Sequence, residues 1–248
     1  SSHYCLGSGY KTGDTITYGN LGTTGTLASG DAFDCDVNGD GVYDSITERF
    51  YYVSGKDGDN SSDYATLIYY NNVSSGVSNN TKTYAWVSKT DYVAAGGTET
   101  DYGSNGSYDK GPLTAIKQLP TTAQWKNVKL SNTTRNITNH AGTVQASKFS
   151  YSGYAARLLT FSEANKACGK VGTWKFGELN ECQYLMENTK YSTGSNALGY
   201  WLEVTSSTTS YVWNMDAIYR IASNYTVLNS SANGVRPAIE VSKSKISY

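Results

Sequence analysis

One short run carries the clearest chemistry in this chain. In Asp36-Val37-Asn38-Gly39-Asp40-Gly41-Val42-Tyr43-Asp44, oxygen-bearing side chains stand at alternate positions around two glycines. Hard oxygen donors at that spacing suit a hard divalent cation, above all Ca2+. Asp36, Asn38 and Asp40 would bind through their side chains, and Val42 through its carbonyl. Asp44 would take the ninth position, where a water often intervenes. Carboxylates set this close repel one another without a cation, so a structural Ca2+ is expected. The plainer alternative is an Asn-Gly and Asp-Gly turn between strands.

The spacing is that of the first half of an EF-hand-type loop. Such a loop closes with a bidentate Glu at its twelfth position. Here that position is Thr47, and Glu48 comes one residue late. Nucleophilic and redox chemistry have little to work with. The two histidines, His3 and His140, sit in no motif, and no G-x-S-x-G, phosphate-binding glycine loop or H-E-x-x-H is present. Glu163, Glu178, Glu181 and Glu187 fall on short helical stretches and read as a solvated face. Four cysteines allow three pairings. Cys5 with Cys35 and Cys168 with Cys182 are the expected disulfides, because each would staple a loop-rich segment; four buried thiols are the alternative.

These groups must be positioned by a chain of 248 residues with a net charge of −1, which gives no electrostatic basis for binding nucleic acid. Its 22 Tyr and 25 Gly against 3 Pro, with abundant Ser, Thr and Asn, suit a secreted β-rich protein. Tyrosine supplies broad contact area at low entropy cost, as in antibody paratopes. No run approaches the roughly 20 apolar residues that span a bilayer, so no direct membrane insertion is expected. The expected location is extracellular or at the cell surface, with a leader or anchor removed from before Ser1.

Gly13 to Tyr18 alternates like a strand. Glu48 to Ser54 and Tyr64 to Tyr70 are aromatic and β-branched and read as adjacent antiparallel strands. Asn71 to Gly111 reads mainly as a long insertion loop, anchored at Tyr84-Ala85-Trp86-Val87, whose tip is a secondary interaction candidate. Pro112 to Asn136 suggests two short helices, Leu113 to Leu119 and one capped by Thr121 or Thr122. Ala155 to Thr160 predicts a buried strand. Ser162 to Gly169 predicts a capped helix closed by glycine, and Glu178 to Thr189 an amphipathic helix. Strands, then helices, then strands argue for a single α+β domain over residues 1–248.

The C-terminal stretch is built differently from the rest. Gly199-Tyr200-Trp201-Leu202 and Gly234-Val235-Arg236-Pro237-Ala238-Ile239 look like framework. Between them, residues 204–233 are rich in Ser, Thr, Asn and Tyr and contain no Lys, Glu, Gln, Gly or Pro. Substituting the adenines of AAC or AAT codons yields Asn, Ser, Thr, Tyr, Asp, Ala, Ile, Val, Leu and Arg among others, but never Lys, Glu, Gln, Met or Trp. Trp213 and Met215 then count as framework. A polar, loop-rich β-meander would read much the same.

The "G-Y-W-L … W-x-V … G-V-R-P-A-I" type of ending resembles bacterial proteins of the C-type lectin fold, in the branch related to formylglycine-generating enzymes. The opening Gly13-Asp14-Thr15-Ile16-Thr17-Tyr18-Gly19 is similar to that family's start. The likeness is strongest to the variable proteins of diversity-generating retroelements. It implies a C-type lectin fold of antiparallel strands with two to four short helices and long loop insertions. It also implies a non-enzymatic protein whose diversified face binds a protein or glycan on another cell or surface. The face would comprise Tyr211, Asn214, Asp216, Ile218, Tyr219, Arg220, Ser223, Asn224, Tyr225, Leu228 and Asn229; Tyr211 to Ile218 alternates as a strand, which turns Trp213, Met215 and Ala217 to the core and Asn214, Asp216 and Ile218 outward. A calcium-stabilised, carbohydrate-binding adhesin of fixed specificity is the alternative. Sugar-binding members carry Glu-Pro-Asn-like and Trp-Asn-Asp triplets. Here those positions read Glu203-Val204-Thr205 and Trp213-Asn214-Met215-Asp216, which departs from the pattern.

Overall fold

The computed structural model describes residues 3–6, 10–11, 14–15, 27–44, 47–169, 182–187, 197–207, 210–216 and 220–247. Its strands are β1 (His3–Cys5), β2 (Tyr10–Lys11), β3 (Asp14–Thr15), β4 (Ala32–Cys35), β5 (Arg49–Gly55), β6 (Tyr64–Tyr69), β7 (Val73–Ser74) and β8 (Val77–Ser78). They continue as β9 (Thr134–Thr138), β10 (Val144–Ser150), β11 (Gly199–Thr205), β12 (Tyr211–Asp216), β13 (Arg220–Thr226), β14 (Asn233–Gly234), β15 (Ala238–Ser242) and β16 (Ile246–Ser247). The α-helices are short: Lys89–Ala94, Glu99–Tyr102, Leu113–Ile116, Phe161–Ala167 and Tyr184–Glu187. The class is α+β, with most regular structure in sheets.

A six-stranded sheet runs β15-β6-β5-β4-β1-β16, and a four-stranded sheet runs β13-β12-β11-β14. Pairing is antiparallel except for β1 with β4 and β11 with β14. In a flat sheet, five gaps of about 4.8 Å would hold the edges about 24 Å apart. Yet β15 and β16, on opposite edges, are joined only by Lys243–Lys245, a reach of roughly 14 Å at most. The large sheet must therefore curl until its first and last strands approach.

Both faces of the central strands are covered. Adjacent residues of a strand point to opposite sides, and here they enter different cores. Tyr52, Leu67 and Trp201 join Phe33, Phe50, Trp86, Trp125 and Tyr151. Their neighbours Val53, Ile68, Tyr200 and Leu202 join Leu159, Phe161, Leu185 and Trp213. This is why β5 and β6 read as nearly unbroken apolar runs, and their antiparallel pairing matches expectation.

The helix Phe161–Ala167 begins one residue before the expected start. Thr160 caps it, with Glu163 closing the capping box, and Gly169 follows at φ 64°. Both disulfides have the expected local pairing, Cys5–Cys35 and Cys168–Cys182. No helix among the described residues is long and apolar enough to cross a membrane.

Three expectations need correction. Ala155 to Thr160 is buried but not a ladder strand. Only Arg157 bridges, exchanging two backbone hydrogen bonds with Ala238 at 2.9 and 2.8 Å. The predicted helix after Thr121 is a chain of turns held by Trp125, whose ring packs against Phe50 and Tyr69. Asn71 to Gly111 is no bare excursion. It carries the β7–β8 hairpin and two helices, and it buries Trp86, Val87, Tyr92 and Tyr102. Most of the strand expected at Gly13 to Tyr18 and both ends of the helix expected at Glu178 to Thr189 lie outside the described residues.

Candidate functional site

The acidic loop folds as an oxygen-lined turn between β4 and β5. Gly39 and Gly41 adopt φ of 74° and 79°, a region costly for side chains other than Asn or Asp. These turns allow Asp36 to accept from the N–H groups of Asp40 (3.1 Å) and Gly41 (3.0 Å). Asn38 Oδ1 accepts from Asp40 N–H at 3.0 Å, Asp40 Oδ1 from Val42 N–H at 2.8 Å, and Asp44 Oδ1 from Thr47 N–H at 2.9 Å. The closing carboxylate is Glu48. It is buried and accepts from the N–H groups of Val37 (3.0 Å) and Asp44 (3.2 Å).

One oxygen each from Asp36, Asp40 and Glu48 lies within 4.8 Å of the others. That is the spread of ligands around one ion bound at 2.3–2.6 Å. Burial, with the charges of Asp36 and Asp40 nearby, pushes the Glu48 carboxyl up to about 7. Burial and Asp40 likewise raise Asp36. An all-oxygen, carboxylate-rich set fits Ca2+ and not a softer metal.

The C-terminal face divides into three groups. Asn224 and Leu228 are exposed, and Tyr211, Ser223, Tyr225 and Asn229 are half-buried. Asn214 is fully buried, contrary to its expected outward position, and its side-chain N–H donates to Asn233 Oδ1 at 3.2 Å. Strand alternation alone implied one wet face, but β12 is covered on both. Ile218 and Tyr219, and the side chains of Asp216 and Arg220, lie outside the described residues. Trp213 and Met215 are buried as expected.

Framework supports this region closely. Val87 N–H donates to the Val227 carbonyl at 3.2 Å, and Thr83 Oγ1 donates to that of Ser230 at 2.6 Å. A Cβ on Gly106 would stand 2.4 Å from Val227 Cγ2. Gly103-Ser104-Asn105, just before that contact, and Asn224, Leu228, Ser230 and Ser231 are exposed. The two regions expected to interact with partners, the insertion and the C-terminal segment, meet at Val227.

The positions of the sugar-lectin triplets are committed elsewhere. Glu203 is buried, pairs with Arg135 Nε at 3.0 Å and accepts from the Tyr151 hydroxyl at 2.9 Å. It belongs to a buried ionic cluster that the sequence reading did not foresee. Arg157, with no exposed surface, pairs with Glu163 at 2.7 Å and Glu240 at 3.0 Å. Glu163 is therefore not on a solvated face. The available signal was Arg157 itself, an arginine inside the apolar run Ala155-Ala156-Arg157-Leu158-Leu159.

No protein-family profile, curated protein or solved structure matches this chain.

Proposed function

We propose that this chain is a secreted or surface-displayed ligand-binding protein, without catalytic activity, built on a C-type lectin fold. Residues 204–233 present its recognition face, in the manner of the variable proteins of diversity-generating retroelements. The carrying observation is the division within this one stretch. Trp213, Met215 and Val227 are buried as framework, while Asn224, Leu228, Ser230 and Ser231 are exposed. A face of this kind tolerates substitution because surface changes rarely cost more than about 0.5 kcal/mol. Its partner is a protein or glycan on another cell or surface.

Ca2+ in the Asp36–Glu48 loop stabilises the fold, held by Asp36, Asn38, Asp40, the Val42 carbonyl, Asp44 and Glu48. The two disulfides fit an oxidising, extracellular setting. The committed state of Glu203 and Asn214 weighs against the fixed-specificity sugar adhesin, because neither side chain is available to a shared calcium and sugar.

Sequencing this locus in sibling strains tests the reading. Differences should cluster at adenine-bearing codons within 204–233 and spare Trp213, Met215 and Val227. Differences spread evenly along the chain, or affecting those buried posts as often as Asn224 and Leu228, would overturn it.

A further inference from the structure

We propose that the free edge of β9 is a docking site for an extended, uncharged peptide strand, independent of the C-terminal face. β9 pairs with β10, and among the described residues no other strand is laddered to it. The register sets Thr134 opposite Ser150, Arg135 opposite Phe149 and Asn136 opposite Lys148. Tyr151 N–H donates to the Thr133 carbonyl at 2.8 Å. In an antiparallel ladder, residues alternate between exchanging bonds with the partner and turning their groups away. Arg135 therefore faces β10, and Thr134 and Asn136 turn their backbone groups outward. The Thr134 N–H is used by Asn132 Oδ1 at 3.0 Å. The Thr134 carbonyl and both backbone groups of Asn136 are left for a ligand, at exposed residues.

These groups open into a cleft of about 400 Å³. Thr134, Arg135, Asn136 and Thr138 all line it, residues of both strand faces, so it follows the edge. β9 closes on β11 at its C-terminal end, where Thr205 Oγ1 donates to the Thr138 carbonyl at 3.0 Å and Asn139 bridges Thr205, which leaves Thr134 to Asn136 as the edge a ligand would meet. Lys56, Asp57 and Ser162 contribute to the lining, and Arg135 reaches across to Asp57 at 2.7 Å and Glu203 at 3.0 Å. Asp57 is held at φ 55°, its N–H donating to Glu163 Oε2 at 3.1 Å. A left-handed residue fixed by a buried carboxylate marks a built position.

The chemistry selects the occupant. Two cations and two carboxylates balance across the cleft, which disfavours a charged polymer. Phe161 and Val204, its apolar lining residues, are buried, so no aromatic platform awaits a sugar ring. What is unspent is one main-chain donor, at Asn136, and two acceptors, at Thr134 and Asn136, and their complement is another extended backbone.

The test uses the whole chain with an acetylated, amidated hexapeptide, Ser-Val-Thr-Val-Thr-Ser, at about 1 mM. Amide hydrogen exchange at Asn136 should slow by roughly tenfold, and the same peptide N-methylated at alternate amides should have no effect. Asn136→Pro removes one donor at a strand edge, where proline is tolerated; it should weaken peptide binding by about fivefold and leave the melting temperature unchanged. If that variant does not fold, Ser162→Trp, at an exposed helical position, blocks the cleft from the other side and should abolish binding. Absence of protection at Asn136, equal binding of the N-methylated peptide, peptide binding that survives Ser162→Trp, or equal protection by maltose would overturn the proposal.

Discussion

At the scale of single residues, Glu48 and Glu163 have opposite fates. Burial beside Asp36 and Asp40 pushes the Glu48 carboxyl up to about 7. The folded protein then binds a proton there more tightly than the unfolded chain does. That stability is fully present below about pH 4.5 and is lost as pH rises through about 7. Burial also acts to raise Glu163, but the charge and hydrogen bonds of Arg157 outweigh it and hold the group at about 2. Its contribution is present above about pH 4.5 and is lost as pH falls toward 2. Calcium should raise the melting temperature by binding the native loop. Because it must displace the Glu48 proton, its affinity should rise by about tenfold per pH unit below 7. Calorimetry between pH 5 and pH 8, with calcium and with chelator, measures this. Asp40→Ala should abolish the shift and leave the apo protein folded; an unchanged melting curve with and without chelator would remove the site. The sequence already contained most of this loop, because ligand spacing is local. The place of Glu48 beside Asp36 and Asp40 was hidden because it depends on how β5 begins, which is not a matter of spacing. Arg157 was harder still. Its partners Glu163 and Glu240 are brought to it by a helix and by β15, and no local pattern connects them.

At the scale of elements, pattern reading succeeded where neighbours along the chain decide the structure. The Thr160–Glu163 capping box is such a case. Thr160→Ala should cost about 1 kcal/mol, read from urea denaturation. Arg157→Ala should cost about 3–5 kcal/mol, or prevent folding, because it strands Glu163 and Glu240 without a counterion in the interior. A cost for Arg157→Ala no larger than for Thr160→Ala would show that the ionic cluster is dispensable. Reading failed where tertiary packing decides. Ala155 to Thr160 has strand composition but obtains one bridge, because its backbone groups bond to three separate segments, at Pro120, Ala238 and Glu203. In β12, alternation placed Trp213 and Met215 correctly and misplaced Asn214, because the strand has no wet face at that point. The same distinction governs the recognition region. Trp213→Ala should destabilise by about 3–5 kcal/mol, whereas Asn224→Ala and Leu228→Ala should each stay within about 0.5 kcal/mol. If the latter pair melts like Trp213→Ala, the face is core.

At the scale of the whole molecule, the two apolar cores make the sheets interdependent. β5 and β6 contribute to both cores, as do β11 and β12. The insertion joins them, since the Trp86 indole N–H donates to the Leu202 carbonyl at 3.0 Å and that of Trp201 to the Tyr84 carbonyl at 2.7 Å. These bonds link residues more than a hundred positions apart, which is why composition read 71–111 as an excursion while the fold uses it as a wall. Unfolding should accordingly be one transition. Far-ultraviolet circular dichroism and tryptophan fluorescence should give superimposable melting curves, with Trp86, Trp125 and Trp201 reporting the larger core and Trp213 the smaller. The disulfides bear on the same balance from opposite sides. Cys5–Cys35 joins paired positions of β1 and β4, inside the larger core. Cys168–Cys182 follows the helix Phe161–Ala167 and lies in the smaller core. Loop-closure entropy assigns each bridge roughly 3 kcal/mol, so replacing either pair by Ala should lower the midpoint by a similar amount. If the cores are coupled as these hydrogen bonds require, loss of Cys168–Cys182 lowers the far-ultraviolet and fluorescence midpoints together. A variant in which the two curves separate would show instead that the smaller core melts alone.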